Sequence, residues 1–195
     1  MDTFRKGAEA NLYVRDGRLV KERVRKAYRI RLLDESLRRQ RTRREAKNLE
    51  SAAAAGVRVP KLIRCDEKKF TLEMEYVPGE LVKDLFDGGR SIPELSEEIG
   101  AALRRLHDGG IVHNDLTTSN MIAAKDGVCV IDFGLAFHTQ RLEDKAMDLV
   151  VFKKSIQATH TVHAGRIWER LLAGYAPDKE ILERVGVIES RVRYK

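Results

Sequence analysis

His113-Asn114-Asp115-Leu116-Thr117-Thr118-Ser119-Asn120 and, further along, Ile131-Asp132-Phe133-Gly134 place three oxygen-bearing side chains in a telling order. Asp115 and Asn120 stand five apart, giving H-x-D-x-x-x-x-N, and Asp132 opens a D-F-G at the end of the apolar run Val128-Cys129-Val130-Ile131. Mg²⁺ prefers hard oxygen ligands, here the Asn120 amide and the Asp132 carboxylate. Asp115 is expected to face an attacking oxygen, orient it and accept its proton. Together these residues suit phosphoryl transfer from ATP, where metal ions neutralise charge on the triphosphate while a carboxylate orients the nucleophile. A D-F-G triplet alone is a weak signal. The two motifs in this order, the second on a short apolar strand, are a strong one.

Protein kinases carry this pair of motifs together with a lysine for the α- and β-phosphates and a glutamate that holds it. Lys21, in Leu19-Val20-Lys21, is the lysine expected on a strand, and Glu45 follows 24 residues later in a helical stretch. Glu50 competes with Glu45, but five residues displace it by roughly 140° around a helix. The phosphate-covering loop is atypical. Against G-x-G-x-x-G-x-V the chain offers Arg5, Gly7, Ala10 and Leu12, so Lys6-Gly7-Ala8-Glu9-Ala10 is expected to cover phosphate with one glycine instead of three. For adenine, the strand ending Met74-Glu75-Tyr76-Val77 is the expected hinge. Backbone groups of Glu75 and Val77 would meet the base edge, Met74 would stand behind it, and Leu12, Leu19, Ile122 and Ile131 would sandwich the ring.

Outward from these motifs the chain reads as a strand-rich first part and a helical second part, an α+β class. Ala10–Arg15 and Gly17–Val24 flank Asp16-Gly17, a hairpin signal. From Asp34 to about Ala55 the pattern is helical, with Leu37, Arg41, Glu45, Leu49 and Ala53 on one side. Phe70–Val77 alternates as a strand until Pro78-Gly79, where the boundary between a lobe over residues 1–78 and a lobe over 79–195 is expected. Ser91 with Glu94 fits a capping box, and the helix continues through Leu95, Ile99, Ala102, Leu103 and Leu106 to Gly109-Gly110. Further helices are expected over Asp144–Thr159, Arg166–Ala173 and Asp178–Glu189. A bilobal arrangement with a cleft between the lobes follows.

The 195 residues are 43% hydrophobic and 34% charged, and no apolar run is long enough to span a bilayer. Without a secretory leader, and with only Cys65 and Cys129, a soluble, cytoplasmic protein lacking a disulfide framework or a four-ligand zinc site is expected. The net charge of +7 is concentrated: Lys21 to Lys47 holds twelve Lys or Arg against four acids. Such a segment is either a solvated helix face or a field that attracts polyanions or an acidic protein face.

Several stretches belong together: Lys6-Gly7-Ala8-Glu9-Ala10, Val20-Lys21-Glu22-Arg23 with Lys26-Ala27-Tyr28-Arg29, the Asp115 loop, Asp132-Phe133-Gly134-Leu135, and Glu143-Asp144-Lys145-Ala146-Met147-Asp148-Leu149. Through them the whole chain resembles the PRPK-type small atypical kinases, the kinase/ATPase subunits of KEOPS (EKC) complexes. The resemblance implies a minimal bilobal kinase-like fold, ATP and Mg²⁺ binding, and phosphorylation of Ser/Thr or ATP hydrolysis. It also implies work in a complex that makes threonylcarbamoyladenosine in tRNA. Its partners there would be a threonylcarbamoyltransferase subunit on the C-terminal lobe, a small regulatory subunit on the N-terminal lobe, and tRNA through the assembly, contacted or aided by the basic tail at Arg191, Arg193 and Lys195. Asn114 stands where the family commonly has glycine, and Thr117 where ordinary serine/threonine kinases have lysine.

Asp148 follows Asp132 by only 16 positions, with no A-P-E between them. The peptide-docking platform of a conventional kinase has no room there, so hydrolysis or docking of a whole partner is favoured. His113 is expected to support the loop. Asp148 is expected to bond the loop backbone or, alternatively, to serve only as a charge at a helix N-terminus. Two rival readings are a small-molecule kinase of the same fold and a binding module with a vestigial cleft.

Overall fold

The computed structural model describes residues 3–7 and 9–193. Strands β1 (Thr3–Lys6), β2 (Ala10–Arg15), β3 (Arg18–Arg23), β4 (Leu62–Asp66) and β5 (Thr71–Glu75) form an antiparallel sheet in the order β1-β2-β3-β5-β4. The β2–β3 turn is made by Asp16 and Gly17, both at positive φ (50° and 70°), the geometry that the Asp-Gly pair favours and that matches the twist of the strands. Lys21 pairs with Leu12 on β2 and with Leu72 on β5, and Leu19 with Met74. Cross-strand partners share a face, so Leu12, Leu19, Leu72, Met74 and Lys21 all point to the same side of the sheet.

Helix α1 (Arg31–Ala54) lies between β3 and β4 in sequence. It starts three residues before Asp34, which sits buried in its first turn and accepts from the Lys26 amide (3.1 Å) and Arg38 Nε (2.7 Å). Its buried face comprises Asp34, Thr42, Glu45, Ala46, Asn48, Leu49 and Ala52. The expected stripe is therefore corrected: Glu45 and Leu49 belong to it, whereas Ala53 is exposed. A face with four polar members has a weak hydrophobic period, so apolar spacing places it imperfectly.

The second part contains β6 (Glu80–Leu81), α2 (Val82–Asp87), α3 (Ile92–Asp108), β7 (Ile111–Val112), β8 (Met121–Ala124), β9 (Gly127–Val130), β10 (Phe137–His138), α4 (Leu142–Thr159), α5 (Ala164–Tyr175) and α6 (Lys179–Arg193). Strands β6-β8-β9 form one small sheet, and β10 pairs with β7. The principal core gathers here around Phe86, Ile99, Leu103, Leu106, Phe133, Leu149, Phe152 and Ile167. Helices α3 and α5 approach very closely at two glycines: a Cβ on Gly100 would collide with the Leu171 carbonyl, and one on Gly174 with the Glu97 carbonyl.

The capping box at Ser91 does not form. Ser91 precedes α3 at φ 51°, and its side chain makes no capping hydrogen bond. A capping serine needs extended backbone to turn its hydroxyl back onto the first turn, and the left-handed conformation points it elsewhere. Helix α6 continues to Arg193, beyond the expected end at Glu189. No helix among the described residues is long and apolar enough to cross a membrane. Cys65 and Cys129 are both free thiols.

Candidate active site

Three segments far apart in sequence converge on one ammonium group. Lys21 Nζ, on β3, donates to Glu45 Oε1 on α1 at 2.6 Å and to Asp132 Oδ1, just after β9, at 2.8 Å. Glu45 is buried, and its other oxygen accepts from Arg23 Nη2. Burial by itself would depress the Lys21 pKa, but the Glu45 and Asp132 carboxylates outweigh it and hold the value above that of an ordinary lysine. Burial by itself would raise the Asp132 carboxyl. The Lys21 ammonium and the Gly134 amide more than offset that and keep it below the usual carboxylate range. Lys21 thus pairs with Glu45, whereas Glu50 is exposed.

Asp132 sits at φ 64°, a conformation that costs an L-residue of this kind of order 1 kcal/mol or more. Two side chains of α1 brace the backbone just beyond it. Asn48 Nδ2 donates to the Phe133 and Ala136 carbonyls (3.2 and 2.7 Å), and Arg44 Nε donates to Ala136 O at 2.9 Å. Neither residue was singled out by sequence. The available signal was an asparagine on the otherwise buried side of a helix, since a buried amide must find partners.

The Asp115 loop is tied to the strand that precedes Asp132. The Ile131 amide donates to Asn120 O at 2.9 Å, and His113 Nε2 to Ile131 O at 3.1 Å. Asn120 Nδ2 donates both to the Asp115 carbonyl (2.9 Å) and to Asp115 Oδ2 (3.1 Å). With its nitrogen committed to Asp115, Asn120 has its amide oxygen left as an acceptor for a cation. His113 is fully buried, with its ring edge-on to Phe133 at 4.9 Å. Asp148, on α4, accepts from the His113 amide (2.7 Å) and the Asn114 amide (2.8 Å), so it clamps the loop backbone and is no mere helix-end charge. Its Oδ2 also meets His107 Nε2 at 3.2 Å, and His107 Nδ1 meets the Tyr175 hydroxyl at 2.8 Å. Sequence reading did not connect His107 or Tyr175 to the loop.

The donor set fits a hard cation. One carboxylate and one amide oxygen are what a metal shared with nucleotide phosphates needs from a protein, because Mg²⁺ keeps most of its ligands as water or substrate oxygens. Among the described residues no cluster of three His, Cys, Asp or Glu builds an all-protein cage.

The nucleotide-side residues divide. Leu12 and Leu19 are half-buried on the Lys21 face, Met74 and Val77 are buried, and Ile122 and Ile131 are half-buried beside the Asn120–Ile131 link. The Glu75 amide already donates to Lys61 O at 2.9 Å, which leaves only its carbonyl for a base edge. The Glu75 carboxylate is forked by Arg58 Nη1 and Nη2 (3.0 and 2.7 Å), and Arg58 Nε reaches Asp126 across to the β8–β9 hairpin at 2.6 Å. In the expected phosphate loop the Gly7 amide donates to Ala10 O at 3.0 Å. The Glu9 carboxylate pairs with Lys26 (3.3 Å) and Arg41 (2.8 Å), so it fastens the loop to the middle of α1 and to the segment that leads into it. Ala8 and the side chain of Lys6 lie outside the described residues, as do Lys195 and the side chain of Arg193. Arg191 faces Glu143 on α4 at 3.3 Å. An open hollow lined by Tyr13, Val20, Glu22, Thr71 and Glu73 lies on the opposite face of the sheet, away from this chemistry.

Comparisons with known proteins bear on the family and the fold. The profile of the RIO domain matches residues 12–163. The KEOPS complex subunit Bud32 of Pyrococcus abyssi is 38% identical, covering 100% of this chain and 97% of its own length. A probable bifunctional tRNA threonylcarbamoyladenosine biosynthesis protein of Methanothermobacter thermautotrophicus is 43% identical over 99% of this chain, which spans 36% of that longer protein. Among solved structures, the Rio2 kinase of Chaetomium thermophilum, in complex with ADP and Mg²⁺ as a phosphoaspartate, superposes with a TM-score of 0.64 at 14% identity, covering 98% of this chain and 70% of its own. The kinase-like fold expected from the sequence is thus the fold found, and the chain belongs to the RIO-domain family, in the branch of the Bud32 subunits.

Proposed function

We propose that this chain is the ATP- and Mg²⁺-dependent kinase/ATPase subunit of a KEOPS-type assembly and supports threonylcarbamoyladenosine formation in tRNA. The observation that carries the reading is Lys21 held between Glu45 and Asp132. Lys21 is oriented by Glu45 toward the triphosphate. Asn120 and Asp132 hold Mg²⁺, which when bound neutralises charge developing on the transferred phosphoryl group. Asp115 accepts the proton of the attacking oxygen, from a Ser/Thr hydroxyl or from water, as that oxygen bonds to the γ-phosphorus and the β–γ bridge breaks. His113 and Asp148 keep the loop in place. Residues 1–78 act as the N-terminal lobe and 79–195 as the C-terminal lobe, with adenine between the Leu12, Leu19 and Met74 face and Ile122 and Ile131.

The short passage from Asp132 to α4 supports hydrolysis, or action on a folded partner, over phosphorylation of extended peptides. It holds only β10, which is consumed in pairing with β7. The partners in this reading are a threonylcarbamoyltransferase subunit on the C-terminal lobe, a small regulatory subunit on the N-terminal lobe, and tRNA through the complex, in the cytoplasm. The test is ATP turnover by the chain alone, with the transferase subunit, and with tRNA, for the native protein and Asp115→Ala. Stimulation by the partner that vanishes in the variant is expected. Turnover that needs only a metabolite, or nucleotide binding with no turnover under any condition, contradicts the reading.

A further inference from the structure

One buried imidazole outside the machinery described so far touches the Asp115 loop directly. His160 closes α4, its amide bonded to Ile156 O at 2.8 Å, and its side chain is buried. Its Nε2 lies 2.8 Å from the hydroxyl of Thr118, itself only 2% exposed. Its Nδ1 lies 2.8 Å from Asp87 Oδ1 on α2, close but not in hydrogen-bond alignment, and the ring meets Phe86 edge-on at 5.6 Å. Thr118 opens the single 3₁₀ turn Thr118–Asn120, whose backbone closes through the Asn120 amide on Thr117 O at 3.0 Å and which has no side-chain cap. A turn of three residues has poor hydrogen-bond geometry and little stability of its own. What fixes it must come from outside.

We propose that His160 is a positioning residue of the phosphoryl-transfer site: it accepts the Thr118 hydroxyl and so sets the turn that aims the Asn120 amide oxygen at the metal. The carboxylate at Nδ1 favours the proton on that nitrogen, which leaves Nε2 as the acceptor and Thr118 as the donor. Burial lowers the His160 pKa against the pull of Asp87, while Lys83 and His163 also disfavour the charged ring, so the imidazole is neutral near pH 7. Because three segments meet at this ring (the ends of α2 and α4 and the Asp115 loop), the aim of Asn120 depends on how the helical part is packed. The inference rests on the reading of Asn120 as a metal ligand, and the test separates the two.

Mn²⁺ affinity in the presence of ADP is measured by electron paramagnetic resonance, and ADP affinity without metal by calorimetry, for the full chain. Thr118→Val keeps the side-chain shape and removes the hydroxyl, His160→Phe keeps a ring and removes the acceptor, and His160→Gln restores an acceptor. Thr118→Val and His160→Phe are expected to weaken Mn²⁺ binding about tenfold while metal-free ADP affinity stays the same. The double variant is expected to be no worse than either, as for two members of one contact, and His160→Gln to recover part of the loss. In the native chain, ¹⁵N NMR is expected to show an unprotonated Nε2, a readout that does not depend on any variant folding. Native Mn²⁺ affinity in folded Thr118→Val and His160→Phe, alongside loss in Asn120→Ala, overturns the inference and leaves the site intact. A protonated Nε2 overturns it as well. Native affinity in Asn120→Ala overturns the ligand reading and the inference with it.

Discussion

Glu45 carries more than the Lys21 contact for which its spacing singles it out. Its two oxygens face Lys21 and Arg23, and neither cation is well exposed. Removing a buried carboxylate leaves two charges in a poorly solvated place, which costs about 3–5 kcal/mol when no partner remains. Lys21 retains Asp132, so Glu45→Ala is expected at the lower end, about 3 kcal/mol by urea unfolding; a loss under about 1 kcal/mol would show the pair to be as weak as an exposed one. Asn114 resolves at the same scale. It adopts φ 63°, a region open to glycine and, among other residues, best tolerated by Asn and Asp. What the loop uses is the Asn114 amide, bonded to Asp148, and any residue supplies that. The gathering of Lys21, Glu45 and Asp132 and the meeting of Asp115 with Asn120 were legible because a phosphate and metal site would fix both type and spacing. Arg23, Asn48 and His107 were not, because their roles depend on which buried acceptor the fold happens to bring beside them.

At the scale of elements, α4 is the member that holds the Asp115 loop, through Asp148. Asp148→Ala leaves the buried His113 amide without an acceptor, at about 1–3 kcal/mol, and removes the acceptor from the half-buried bond of the Asn114 amide, which water can replace in part. Displacement of the loop by the order of an ångström is expected to lower kcat by about 10²-fold, with the KM for ATP little changed because Lys21 and the sheet are untouched. Steady-state ATP turnover decides this: a kcat near that of the native chain would show that the loop keeps its place without the clamp. The hairpin, α3 and the helix-rich second half were readable from turn chemistry and from periodicity. Strands β6, β7 and β10 were not, since two residues hold no alternation to detect. The buried face of α1 was only half readable. Its Asp34, Thr42, Glu45 and Asn48 are buried to satisfy cations, hydroxyls and carbonyls, and a hydrophobic pattern cannot register them.

Across the whole molecule, the basic segment from Lys21 to Lys47 is largely an internal framework. Lys21 and Arg23 pair with Glu45, Arg29 and Arg38 with Asp34, Lys26 and Arg41 with Glu9, Arg31 with Glu35, and Arg43 with Glu67. The field it offers a polyanion is therefore weaker than the residue count suggests. Several of those pairs are exposed and contribute little to stability singly, but together they fasten the Glu9 loop and α1 to the sheet that carries Lys21. Arg58 does the same between the sheet and the β8–β9 hairpin, joining Glu75 to Asp126. The result is a candidate site whose side chains come from both parts of the chain. Its most direct test is a crystal structure of the protein grown with ADP and Mg²⁺. The diphosphate is expected beside Lys21 Nζ and the metal on Asp132 and the Asn120 amide oxygen. Nucleotide bound on any other surface, or a metal that touches neither residue, would contradict that placement.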